Sequence, residues 1–201
     1  MHQLKPVMQF LVRPLARFVA RRGGTANQVT MAAMLGSIGV GLVVATVGPW
    51  LSLVWLLMPM WLVTRMGLNA VDGLLAREHH QASRLGAYLN ELADVVSDTA
   101  LLLPLATLSS FSPALVTGIA LLASWTELAG ALGPMIGASR RHEGPMGKAD
   151  RALVLGLIGG WVSVMGGALP GALAVQWLLL ALLGLTIVRR VVAGLAEVGE
   201  W

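Results

Sequence analysis

Cysteine is missing from all 201 residues, which excludes disulfides, thiolate chemistry and cysteine-ligated metals. Charge is scarce too. Asp, Glu, Lys and Arg make up 12% of the chain, against about 25% in a soluble domain. No stretch is long or polar enough to be a linker between domains, and neither a low-complexity tract nor an internal repeat stands out. The start lacks the pattern of a cleavable signal peptide. Between Lys5 and Arg22, basic residues alternate with Val7, Phe10, Leu11, Leu15, Phe18 and Val19, and Pro6 and Pro14 interrupt the segment. No unbroken apolar core leads to a small-residue cleavage site.

What fills the chain instead is apolar. Hydrophobic residues account for 56% and the mean hydropathy is +0.76, the composition of an integral membrane protein. A helix needs about 20 apolar residues to cross a bilayer. The runs predict spans near residues 32–46, 51–68, 86–107, 114–136, 152–166 and 172–188. They are too long and too evenly apolar for the alternating strands of a barrel. The fold expected is therefore all-α, with six transmembrane helices and an N-terminal amphipathic helix lying on the membrane surface. Residues 1–26 form the juxtamembrane segment and residues 27–201 the membrane domain.

Charge placement fits that topology. The 14 Lys and Arg residues fall on one side of a six-span arrangement, while the opposite connections VGPW, LSSFSP and GGALPG carry no charge. The positive-inside rule makes the basic side, with both termini, cytoplasmic. The isoelectric point near 10.7 then reflects residues flanking membrane spans, not a nucleic-acid partner. Five tryptophans, Trp50, Trp61, Trp125, Trp161 and Trp177, sit near span ends as an interfacial belt would place them.

Polarity concentrates in residues 69–98, NAVDGLLAREHHQASRLGAYLNELADVVSD. Arg65, Asn69, Asp72 and Ala76 share one helical face, and Gly86, Asn90, Asp94 and Asp98 recur every four residues on the next helix. Two neighbouring helices can aim these groups at one point just inside the membrane. Ionisable groups there need partners, water or a metal. An oxygen-only donor set favours Mg²⁺, Mn²⁺ or Ca²⁺ over zinc.

These residues resemble the signature of the CDP-alcohol phosphotransferases, Asp-x2-Asp-Gly-x2-Ala-Arg-x8-Gly-x3-Asp-x3-Asp. Every spacing fits, and six of the eight defining residues are present: Asp72, Gly73, Ala76, Arg77, Gly86 and Asp94. Asn69 and Asn90 stand at the first and third Asp positions, which marks a divergent member. Asn27-x2-Thr30 is similar to an element often found ahead of the family's first span. The resemblance implies transfer of a phosphatidyl-type group from a CDP-linked lipid, CDP-diacylglycerol above all, to a small or lipid alcohol with release of CMP. It implies Mg²⁺ or Mn²⁺ at Asn69, Asp72, Asn90 and Asp94, with Asp94 as catalytic base. Asn27, Asp72, Gly73, Ala76 and Gly86 would meet the nucleotide, and a homodimer in the inner membrane is expected.

An amide oxygen can ligate Mg²⁺ but brings no formal charge. The two asparagines should therefore weaken cation binding, and Glu91 or Asp98 could compensate. Arg77 is a candidate for a phosphate, or for pairing with Asp72 or Glu78. Lys148 and Arg151, in the basic loop SRRHEGPMGKADR, are candidates for an acceptor phosphate or a lipid headgroup. Glu127, within the fourth span, should line the cavity or pair with Arg65. Two rival readings stand beside the transferase. One is a catalytically silent lipid- or nucleotide-binding homologue. The other is an intramembrane prenyltransferase, because Asn90-x3-Asp94-x3-Asp98 also resembles the first Asp-rich motif of those enzymes.

Overall fold

The computed structural model describes residues 4–200, with side chains from residue 12 onward. The side chains of Lys5, Val7, Phe10 and Leu11, on which the amphipathic reading partly rests, lie outside the described residues. Among the described residues seven α-helices follow one another: α1 (Leu4–Arg21), α2 (Ala26–Val47), α3 (Leu57–Glu78), α4 (Arg84–Leu102), α5 (Pro113–Leu132), α6 (Lys148–Met165) and α7 (Ala172–Glu197). Pro14 falls inside α1, which continues through it.

Local signals explain where the helices begin. Thr25 caps α2 by accepting from the Gln28 amide, while the Gln28 side chain accepts from the Thr25 amide. That reciprocal pair satisfies two orphan donors and starts the helix six residues ahead of the expected span at Ala32. Ser83 caps α4 by accepting from the Gly86 amide at 2.9 Å. At α6, Asp150 accepts from the Gly147 amide at 3.0 Å. The turn between α6 and α7 runs through Gly166, Gly167 and Gly171, all at positive φ, where a side chain would be strained.

Among the described residues, four segments are long and apolar enough to cross a membrane: Ala26–Val47, Ser52–Glu78, Pro113–Ile136 and Ala172–Glu197. The chain is thus an α-helical, multi-pass membrane protein. Leu42, Val63, Leu157 and Val164 point outward, each more than half exposed, as side chains facing lipid would. Of the other three helices, α4 and α6 coincide with expected spans but carry paired charges, Asp94 and Asp98 on α4 and Arg151 on α6.

Packing places the motif. α2 lies against both α3 and α4, α6 against α3, and α5 against α4 and α7. Gly41 permits the α2–α4 approach, since a Cβ there would run into the Ala100 carbonyl. The main core gathers Trp55, Met58, Leu101, Val116, Val162 and Leu183. A smaller core of Ala16, Ala26, Val29, Val71, Leu74 and Leu75 ties α1 to α2 and α3. The first rows of α2 and α4 and the last turns of α3 are thereby fixed around a common space.

Candidate active site

That space is a cavity of about 780 Å³ at the charged end of the bundle. α2 contributes Ala26, Asn27 and Thr30; α3 contributes Arg65, Asn69, Asp72, Gly73, Ala76 and Arg77. Gly86, Asn90 and Asp94 line it from α4, and Lys148 from the first turn of α6. The α3–α4 loop is tied to the start of α2 by one side chain. Gln81 accepts from the Ala26 amide at 2.7 Å and donates to the Gly24 carbonyl at 3.3 Å.

Both motif carboxylates are buried. Asp72 is 8% exposed and accepts from the Thr30 hydroxyl at 2.9 Å. Asp94 is 5% exposed; its Oδ1 accepts from Arg65 at 3.1 Å and its Oδ2 pairs with the Lys148 ammonium. Arg65 reaches further, donating to Asp98 Oδ1 at 2.6 Å. Asp98 Oδ2 in turn accepts from Arg151 Nε at 3.0 Å and Nη2 at 2.6 Å. Arg151 also donates to Glu127 at 2.7 Å, to Thr126 Oγ1 at 2.9 Å and to the Met146 carbonyl at 3.2 Å. Buried charges survive only when paired and hydrogen-bonded, and this chain of ions meets that condition from α3 to α7, where Arg190 bonds the Thr126 and Glu143 carbonyls.

The sequence-derived set therefore divides. Asn27, Asn69, Asp72, Gly73, Ala76, Arg77, Gly86, Asn90, Asp94 and Lys148 come together around one cavity. Arg151, Glu91 and Asp98 do not line it. Arg151 is consumed by Asp98, Glu127 and Thr126, so its guanidinium is not offered to an acceptor phosphate. Glu91 pairs with Arg140, and Asp98 is held between two arginines, so neither acid makes up for the missing carboxylates. Asp98 cannot join Asp94 at a diphosphate either, which removes the geometry the prenyltransferase reading needs. Glu127 pairs with Arg151, not Arg65, and Glu78 is taken by Arg13 at 2.9 Å. Arg77 remains at the rim, exposed.

Sequence reasoning assigned no partner role to Thr30 or Gln81, and it paired Arg65 with Glu127 where the structure pairs it with Asp94 and Asp98. Thr30 had a signal, its place one helical turn after Asn27 on the α2 face. Arg65 had one too, a turn before Asn69. In the α5–α6 loop, burial and then the neighbouring Arg140 and Arg190 hold the His142 imidazole below its usual 6.5.

The donors available to a cation are the Asp72 and Asp94 carboxylates and the amide oxygens of Asn69 and Asn90. Among the described residues no group of three or more His, Asp or Glu stands together as a metal cluster. Two carboxylates and two amides make an all-oxygen set, which suits a hard ion such as Mg²⁺ or Mn²⁺.

A cavity that gathers carboxylates and amides at the charged end of an apolar helix bundle defines a class, the integral membrane proteins with a polar site at one end of their helices. Within that class the chain belongs to the CDP-alcohol phosphatidyltransferase family, whose model matches residues 24–188. It is 42% identical over 159 residues to the inner membrane protein YnbA of Escherichia coli (strain K12), covering 79% of this chain and 78% of that one. Its fold is shared with the phosphatidylinositol phosphate synthase PgsA1 of Mycobacterium tuberculosis. The form with CDP-DAG bound aligns with a TM-score of 0.75 at 22% identity, over 94% of this chain and 96% of that one. The form in complex with manganese and citrate aligns with a TM-score of 0.77 at 22% identity, over 94% and 91%.

Proposed function

We propose that the chain transfers a phosphatidyl-type group from a CDP-linked lipid, CDP-diacylglycerol in the first instance, to an alcohol, releasing CMP. The observation that carries this reading is the convergence of Asp72 and Asp94, from two helices, on a cavity also lined by Asn27, Gly73, Ala76 and Gly86. Small residues let a flat base and its ribose approach backbone closely. The shared fold with a protein crystallised with CDP-DAG supports the choice of donor.

In this reading the acceptor hydroxyl attacks the phosphorus nearer the lipid. Its proton passes to Asp94, the bond from that phosphorus to the bridging oxygen breaks, and CMP leaves. Arg65 holds Asp94 in orientation. Lys148, on a flexible stem, exchanges Asp94 Oδ2 for a phosphate oxygen of the donor and so frees that oxygen to take the proton. Arg77 holds phosphate at the rim. A Mg²⁺ or Mn²⁺ ion, held by Asp72 with the amides of Asn69 and Asn90, would neutralise charge on the phosphates. The crystal form of PgsA1 with manganese supports a divalent ion here.

The same reading places the chain in an inner membrane as a homodimer. α2 to α7 cross as six spans, both termini are cytoplasmic, and the cavity opens to the cytoplasmic leaflet. Residues 1–26 include α1 lying along the membrane surface, and residues 27–201 form the catalytic domain. The charge-free turns at the opposite end of the bundle support that orientation.

The test is CMP release from CDP-diacylglycerol by the purified protein with Mn²⁺ or Mg²⁺ and a pool of alcohols. General-base removal costs about 10²- to 10⁴-fold, so Asp94→Ala should lose release to that extent. Asn69 and Asn90 favour a second reading, a silent binding homologue. Donor binding without release, unchanged in Asp94→Ala, would select it.

A further inference from the structure

Among the described residues, five charged side chains line the cavity: Arg65, Arg77 and Lys148 against Asp72 and Asp94. Two-ion sites for transfer at phosphorus set their metals about 3.5–4 Å apart. Charges that close repel strongly unless several carboxylates share them. This cavity offers two carboxylates, and they are not equivalent. Asp72 meets a neutral hydroxyl, Thr30. Asp94 already has a cation on each oxygen, Arg65 and Lys148.

Those two cations differ in kind. Lys148 is one-third exposed, at 33%, on a stem that can swing. Arg65 is 5% exposed and pinned from below by Asp98, whose other oxygen is locked by Arg151. A guanidinium seated this way is a permanent part of the cavity floor. It faces the carboxylate that a second metal would need.

We propose that the cavity takes a single divalent cation, at Asp72 with the amide oxygens of Asn69 and Asn90. Arg65, seated on Asp98, supplies against Asp94 the positive charge that a two-ion site draws from its other metal. The inference rests on the reading of the chain as a metal-dependent transferase. It makes sense of both asparagines: with a fixed arginine in place, two further carboxylates would have no second ion to hold. Asp98 becomes a positioning residue that acts on Asp94 through Arg65.

Mn²⁺ titration of the intact protein in detergent micelles with saturating CDP, with free Mn²⁺ followed by electron paramagnetic resonance, tests the stoichiometry. CMP release is measured on the same samples. One Mn²⁺ per chain is expected, none in Asp72→Asn, and still one in the double variant Asn69→Asp/Asn90→Asp, where Arg65 remains in place. Two ions on the unaltered chain would overturn the proposal and leave the transferase reading standing. Release without bound Mn²⁺ would overturn the metal dependence and the proposal together. Neither binding nor release would sink the transferase reading and, with it, the proposal. A second ion in the double variant would show that the asparagines, not Arg65, set the count and would overturn the role given to Arg65.

Asp98→Asn probes the arginine separately. It should lower kcat about 10- to 100-fold, the cost of losing a partner that orients a ligand, with the KM for CDP-diacylglycerol and the Mn²⁺ count unchanged. Asp98→Glu should restore part of the loss. A raised KM with kcat intact would leave Asp98 a structural residue only and overturn its role.

Discussion

Thr30 and Asp72, 42 residues apart in sequence, are joined by a 2.9 Å hydrogen bond that links α2 to α3 at the cavity wall. The same hydroxyl lies 3.1 Å from the Ala26 carbonyl. With one proton to give, it has two settings, one supporting the carboxylate and one turned back to its own helix. Hydrogen bonds to charged groups contribute about 1.5–3 kcal/mol. Thr30→Val should therefore weaken Mn²⁺ binding in the presence of CDP roughly 10- to 100-fold, whereas Thr30→Ser should stay near the unaltered protein. Equal Mn²⁺ affinity in the valine variant would show that Asp72 does not depend on this bond.

Arg151 carries a prediction about stability. Its removal leaves Asp98 and Glu127 short of a buried partner, a loss of about 3–5 kcal/mol for a broken buried pair. Arg151→Ala should unfold well below the unaltered protein on heating in detergent, and Arg151→Lys should recover part of the difference. A variant of normal thermal stability with a raised acceptor KM would return Arg151 to the acceptor site that the sequence suggested.

Two glycines in the motif should respond unequally. A Cβ at Gly86 would lie 2.7 Å from Asn27 Oδ1 and 3.0 Å from Ser83 Oγ, pressing on the capped start of α4. At Gly73 the nearest atom is 3.1 Å away and belongs to the mobile tip of Arg77. Gly86→Ala is expected to weaken CDP binding about tenfold, equivalent to ~1.4 kcal/mol, and Gly73→Ala much less. Calorimetric titration with CDP checks this. The opposite ranking would place the nucleotide elsewhere in the cavity.

A pH effect follows from His142. Its folded-state pKa is depressed, by burial first and then by Arg140 and Arg190, with Glu127 and Glu143 opposing. The unfolded chain therefore binds the proton first as pH falls. Stability is lost from about pH 6.5, the usual value, down toward the folded pKa, and stays at the lower level beneath it. His142→Gln should flatten the thermal-stability profile across that window. A profile with the same slope in both proteins would assign the acid sensitivity to other groups.

How far the site was readable depended on what each residue reports. Motif spacing reports rotation about a helix, so Asn69 with Asp72 and Asn90 with Asp94 could be placed on facing surfaces of α3 and α4 from sequence alone. Pairing between helices depends also on axial stagger and on which third helix packs alongside. In helices apolar on nearly every face no periodic pattern encodes either. Glu127 was thus expected near Arg65, whereas the packing of α5 against α4 and α7 sets it beside Arg151 and Arg190. Arg151 read as a loop cation because it closes a basic loop. It is buried because α6 begins three residues earlier, at Lys148, and turns Arg151 inward. The helix starts at Thr25 and Ser83 were written in their capping chemistry, but the hydropathy of the runs behind them obscured the signal.

The ionic web joining α3 through α7 also constrains how the chain can be made. α4 carries Asp94 and Asp98, α6 carries Lys148 and Arg151, and neither is among the segments apolar enough to cross on their own. Each charge finds its counterpart only on a different helix. During synthesis α4 emerges from the ribosome long before α6, so its acids must wait, shielded by Arg65 of α3 alone, until the later helices arrive. Biogenesis of this protein is then a matter of holding a half-neutralised hairpin at the insertion machinery, and its yield should depend on that waiting period.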